Sequence, residues 1–331
     1  MPTSSQPESE ADGFPFMVDT EPHIVWDHAA QEKNIAYLAG VDPGFFEHVA
    51  RVHAPLLSSE DRQERHRAAT AIRLAYSMAL ETFCAMLAAC VQAPRFPLGW
   101  MLAYNAGHLK SVMEKLYNGE DVHNAWGTTT SWQIVADTLL RFTTDDPGRD
   151  EVVRAAYANM WKRFARDFLD DAAMMEYNSI KHGARTRSGG FHLSVGHAIV
   201  GDSAPSPEAM TRPSGSTFGS QFFVRRRTTR KRAFTVDHVA RNWIPDNLLD
   251  SVQLLTLSIT NLLAFLRRQA GDNENAPSFV GPADLRELEV PWMHRLEFES
   301  FTKASTVRPD QIGEWTDDEV RTRFPPRAAT E

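Results

Sequence analysis

The sequence predicts a mainly α-helical fold, a helical bundle carrying a small β-hairpin or sheet as an insertion. Three observations predict it. Apolar residues recur at helical spacing through most of the stretch from Arg62 to Gly183. The pattern then switches to two-residue alternation, with aromatic and β-branched residues gathered at Gln221–Val224 and Ala233–Val239. After Pro245 a helical stripe returns through Leu248, Val252, Leu255, Ile259, Leu262 and Leu266. The expected organisation is a disordered acidic lead over 1–22, a bundle domain over 23–270 with its β insertion at 188–243, and an irregular C-terminal extension over 271–331.

Each element has a local reason. Asp42-Pro43 supplies a cap and first turn for a short helix through Phe45, Phe46, Val49 and Val52. From Arg62 to Gln92, Ile72, Ala75, Ala79, Phe83, Met86 and Cys90 make one apolar face, while Leu74, Met78, Ala85 and Ala88 make a second. A helix apolar on two sides belongs inside a packed unit. Beyond Pro97 a helical stretch runs through Met101, Tyr104 and Val112 to the stop signal Asn118-Gly119. Thr128–Ser131 offer caps for a helix bearing Trp132, Val135, Leu139 and Phe142. A single long helix is predicted from Asp150 to Gly183. Phe191, Leu193 and Val195 then alternate with polar residues as a strand, and Gly201–Gly219, rich in Ser, Pro and Gly, reads as an exposed loop. A last short helical candidate lies near Ala283–Leu288.

Composition narrows the function classes. Apolar residues make up 42% and charged residues 24% of 331, a globular balance that can build a core without disulfides or a structural metal. A net charge of -8 excludes a chain that coats nucleic acid over its whole surface, while leaving room for a local basic patch. Cys84 and Cys90 fall about 240° apart around one helix, so they are expected as buried reduced thiols in a reducing compartment. No Lys or Arg precedes Lys33, so no secretory or transit signal is expected and the cytoplasm is the expected location. The apolar segments near Ala71–Val91 and Ser251–Leu266 carry polar and charged residues, so no membrane partner is expected.

Two clusters are candidates for chemistry. Asn178 and His182 lie four residues apart on one face of the late helix with Lys181 on the flank, a set suited to a histidine acid/base or phosphate ligand oriented by the amide. The same residues also suit an ordinary helix end, where cations complement the dipole. Glu81 interrupts an apolar helix face, where its carboxylate is expected either as a general base or as a partner for His108 or Lys181. The second cluster, Arg225, Arg226, Arg227, Arg230, Lys231 and Arg232, holds six cations in eight residues between two strands. At a hairpin tip those charges project together toward phosphates; as a plain solvated loop they merely balance an acidic chain. Phe222, Phe223 and Phe234 lie close by as base-stacking or core residues. No di-iron pair, zinc motif or phosphate-binding glycine loop occurs, so no metal or cofactor is expected.

A helical protein whose late helix ends in Asn178-x-x-Lys181-His182 resembles the HEPN superfamily, over Arg62–Gly183 and Pro245–Ala270. The resemblance implies RNA or a nucleotide as partner, a homodimer as a further partner, and a metal-independent ribonuclease or a toxin/defence component as the activity. In that family an Arg precedes the His on the helix; here Asn178 and Lys181 stand in that stretch, so binding without cleavage is the expectation. Two other function classes fit the residues: a non-catalytic interaction scaffold, and a small-molecule enzyme using a bundle cavity around Glu81 and His108.

Overall fold

The computed structural model describes residues 14–25, 28–123, 127, 131–141, 147–182, 185–195, 211–227, 234–294, 296, 298–307 and 315–324. The chain divides into two units, Met1–Tyr177 with Ile244–Arg295, and Asn178–Trp243 with Leu296–Glu331. It is mainly helical, with small antiparallel sheets.

The first unit is built around α3 (Arg62–Gln92), which packs chiefly on α9 (Pro245–Gln269) although the two are far apart in the chain. Asp61 starts α3 by accepting a hydrogen bond from the Gln63 amide. Pro245 starts α9 at a position where a missing amide proton costs nothing. Phe83 sits in the core with its ring 6.0 Å from Trp161 and 5.9 Å from Phe164, both on α7 (Pro147–Phe168). Val135, Leu255 and Leu262 are buried with them, while Phe168 at the end of α7 is only half-buried. The polar residues of α9 are matched rather than exposed. Ser258 accepts from the Trp161 indole at 3.0 Å, and Asn261 bonds the Val280 backbone in both directions. Both long helices are apolar enough to cross a membrane by length and composition, yet 78% and 67% of their most apolar windows are buried in the protein.

Several boundaries differ from those the pattern predicts. The acidic lead is not wholly irregular: Phe14–Val18 (β1) and Glu21–Val25 (β2) form an antiparallel hairpin. Val18 and Phe16 are buried, and Gln92 holds the turn by accepting from the Asp19 amide and donating to its carbonyl, at 2.8 and 2.9 Å. The stretch after Pro97 is two helices, α4 (Pro97–Ala103) and α5 (Ala106–Asn118), because Asn105 turns away to cap α5 through the Gly107 and His108 amides. The long helix expected from Asp150 to Gly183 is likewise divided into α7 and α8 (Asp171–Lys181), with Asp170 accepting from the Ala172 amide at the break. Gly183 lies outside the described residues. α1 (His28–Gly40), α2 (Phe45–His53), α6 (Trp132–Leu139) and 3-10 helices at Ala54–Ser58 and Leu285–Trp292 complete the described part of this unit.

In the second unit the β portion is larger than a hairpin, a correction to the expected insertion. Thr186–Ser188 (β3), Gly219–Arg227 (β6), Phe234–Asn242 (β7) and Ser300–Val307 (β8) form one antiparallel sheet in the order β3-β6-β7-β8. β8 comes from the C-terminal extension read as irregular, and pairs along β7 from Arg241↔Ser300 to Phe234↔Val307. A separate pair joins His192–Val195 (β4) to Thr211–Gly215 (β5), the latter inside the segment expected to be a loop. Gly219 is required by close approach: a Cβ there would stand 2.1 Å from the Arg241 carbonyl oxygen. α10 (Asp317–Arg323) opens on a capping box between Thr316 and Glu319.

Candidate nucleic-acid interface

The pleat of the four-stranded sheet sorts its side chains. Successive residues point to opposite faces, and residues paired across strands share one. Phe223, His238 and Lys303 are in register across β6, β7 and β8, and Gln221, Ala240 and Phe301 form the next row, joined by Arg187 of β3. Arg225 and Val236 make the row on the other side. The opposite face carries Phe222 and Val239, which are buried, and Asp237.

The Arg187 face presents aromatic surface to water. Phe223 is 60% exposed and Phe301 53%, against 0% for Phe222, its immediate neighbour in sequence. Phe223 stacks on His238 with ring centroids 4.9 Å apart and 22° between planes. Phe301 lies 6.3 Å from Phe191, whose backbone amide and carbonyl are both held by the side chain of Asn242. Arg187, Arg225 and Lys303 are exposed on the same face. The four strands contain one acidic residue, Asp237, and it lies on the other face, paired with Arg226 at 2.7 Å.

Arg225 and Arg226, the first two residues of the basic run, do not project together. β6 continues through Arg227, so Arg225 and Arg226 fall on opposite faces. Arg230, Lys231 and Arg232 lie outside the described residues. The sequence pattern singles out Phe223 but gives no reason to join Arg187, Phe301 and Lys303 to it. The available signal was the β-branched content of Ser300–Val307, too short and too far from its partner strand to read alone.

The other predicted residues are placed as follows. Asn178, Lys181 and His182 are exposed at the end of α8 and belong to the second unit. Glu81 belongs to the first and is half-buried, accepting a hydrogen bond from the Tyr177 hydroxyl at 3.0 Å. Burial first, and the Glu81 charge and hydrogen bond with it, push the Tyr177 phenol well above its ordinary range. His108 is not Glu81's partner: it stands at the start of α5, 3.6 Å from Glu21. A cavity of about 350 Å3 opens elsewhere in this unit, between α7 residues such as Asn159 and Arg163 and the 3-10 segment at Leu285–Glu289. Neither Glu81 nor His108 lines it. Among the described residues no group of three or more His, Cys, Asp or Glu is arranged to hold a metal ion.

No known protein family matches this chain, and neither a curated protein nor a solved structure matches it.

Proposed function

We propose that the protein binds single-stranded RNA on the exposed face of its four-stranded sheet. The observation that carries this is the coincidence, on one face, of two aromatic rings more than half exposed with three cations and no acidic strand residue. Exposed Phe rings in a sheet are poor neighbours for water, and the π-face of a base covers them at a gain of about 1–3 kcal/mol per base. Arg187, Arg225 and Lys303 supply charge for the phosphates running past those bases. A duplex keeps its bases stacked and paired, so the chemistry favours an unpaired strand.

RNA is the polymer that the Asn178-x-x-Lys181-His182 resemblance adds to this reading. On a HEPN-like footing the exposed α8 end contributes phosphate contacts through Lys181 and His182, without cleavage, since the family's Arg is absent. The test is fluorescence anisotropy with a labelled unstructured oligoribonucleotide, its DNA counterpart and an RNA duplex. The single strand is expected to bind best, and Phe223→Ala with Phe301→Ala to weaken it by about 1–3 kcal/mol for each ring lost. Unchanged affinity in the double variant, or no binding by the wild type at low salt, would overturn the proposal. Loss of binding only for the DNA selects RNA; equal binding of both selects single strands generally.

A further inference from the structure

We infer that this face takes an unpaired tract of about three nucleotides, with the first and third bases stacked and the middle base left unstacked. The inference rests on the reading of the face as a single-strand platform and concerns its geometry.

The face holds two aromatic platforms rather than one continuous surface. The first is Phe223 on β6 stacked against His238 on β7. The second is Phe301 on β8 beside Phe191. Their spacing follows from the register. Phe223 lies in the row of Lys303, and Phe301 is two residues along β8 from Lys303, so the rings are separated by two strand spacings and two residues of rise. With strands about 4.8 Å apart and a rise of about 3.4 Å per residue, the Cα atoms carrying them stand roughly 12 Å apart. Between the platforms lies Ala240, a buried methyl that offers no ring.

A stacked strand advances about 3.4 Å per nucleotide and an unstacked one roughly twice that, so neighbouring bases do not reach both platforms while bases one nucleotide apart do. The cations are distributed to match. Arg225 lies two residues along β6 from Phe223, Arg187 lies on the neighbouring strand one row from it, and Lys303 lies two residues along β8 from Phe301. Each platform therefore has a cation within about 8 Å of the Cα that carries its ring, two beside Phe223 and one beside Phe301. A mononucleotide or dinucleotide occupies one platform only, and this step in occupancy gives the inference its test.

The experiment uses the full-length wild-type protein and competition against a labelled oligoribonucleotide. Competitors are a mononucleotide, a dinucleotide, a trinucleotide, and trinucleotides abasic at the centre or at one end. The expected result is a rise of about tenfold or more from dinucleotide to trinucleotide, a loss of less than about threefold for the abasic centre, and a loss of about tenfold for the abasic end. Phe301→Ala is expected to abolish the step between dinucleotide and trinucleotide, with the trinucleotide falling about tenfold toward the affinity of the dinucleotide for the same variant. A smooth increase with length, or equal losses at centre and end, overturns the two-platform geometry while leaving single-strand binding standing. Failure of the labelled oligoribonucleotide itself to bind overturns both readings together.

Discussion

Arg226, the second of three consecutive arginines at the end of β6, holds the carboxylate of Asp237 on β7 at 2.7 Å, on the sheet face opposite Arg225. The pleat thus divides a run of like charges into one arginine engaged by a buried carboxylate and another on the face with Phe223 and Lys303. Replacing Arg187, Arg225 and Lys303 with Gln is expected to flatten the dependence of log affinity on log salt by about 2, since each phosphate contact to a single strand releases about 0.7 counterions. Arg226→Gln should leave that slope unchanged. Anisotropy titrations at several salt concentrations distinguish the two, and an equal effect of Arg226→Gln would refute the division by faces.

Arg73 and Glu176 form a second pair in the first unit, 103 residues apart, with the guanidinium Nη2 2.7 Å from the carboxylate and both side chains buried. Arg73 also lies over the Tyr76 ring at 5.1 Å. Removing one partner strands the other charge away from water. Glu176→Leu is expected to cost about 3–5 kcal/mol of stability, and the double variant with Arg73→Met appreciably less than the sum of the two single variants. Urea denaturation of the four proteins reads the difference; simple additivity would show that the pair is not coupled.

Asn242 is buried at the end of β7, where its side chain accepts from the Phe191 amide at 2.8 Å and donates to the Phe191 and Phe298 carbonyls at 2.9 and 3.0 Å. Asn242→Ala leaves those backbone groups unmatched and is expected to destabilise the second unit by about 2–3 kcal/mol, a group penalty summed over several bonds. Hydrogen exchange should rise in the segment around Phe191 and in β8. Unaltered protection there would remove Asn242 as the tie between them.

Burial holds the thiols of Cys84 and Cys90 well above their ordinary range and raises the phenols of Tyr157 and Tyr177. In each case the folded state favours the protonated form, so the unfolded chain ionises first as pH rises. The stability associated with the thiols is whole below the unfolded thiol value of about 8.5 and is lost as pH climbs toward the folded values. The urea midpoint should be level at neutral pH and fall on the alkaline side, with the onset moved toward the phenol range, about 10, in a Cys84→Ala/Cys90→Ala variant. A midpoint that stays level through both ranges would contradict these environments. Native Cys84 and Cys90 should also resist iodoacetamide until the protein unfolds.

What the sequence determined by itself is local. The span Arg62–Gln92 and the restart at Pro245 follow from apolar periodicity and proline chemistry, because a helix face is written every three or four residues and its first turn has its own preferences. The breaks at Asn105 and Asp170 were less legible, since each cap interrupts a pattern that stays apolar on both sides. Tertiary structure alone decided what lies far apart in the chain. Arg73 finds Glu176, β8 pairs with β7 across more than 50 intervening residues, and the side of the sheet that Phe223 shares with Phe301 depends on that register. Shifting the pairing by one residue would turn one of those rings to the opposite face, and no local window specifies a register between distant strands. The candidate interface therefore arises from pairing: its residue types are visible in the sequence, and their convergence on one face is produced by the sheet.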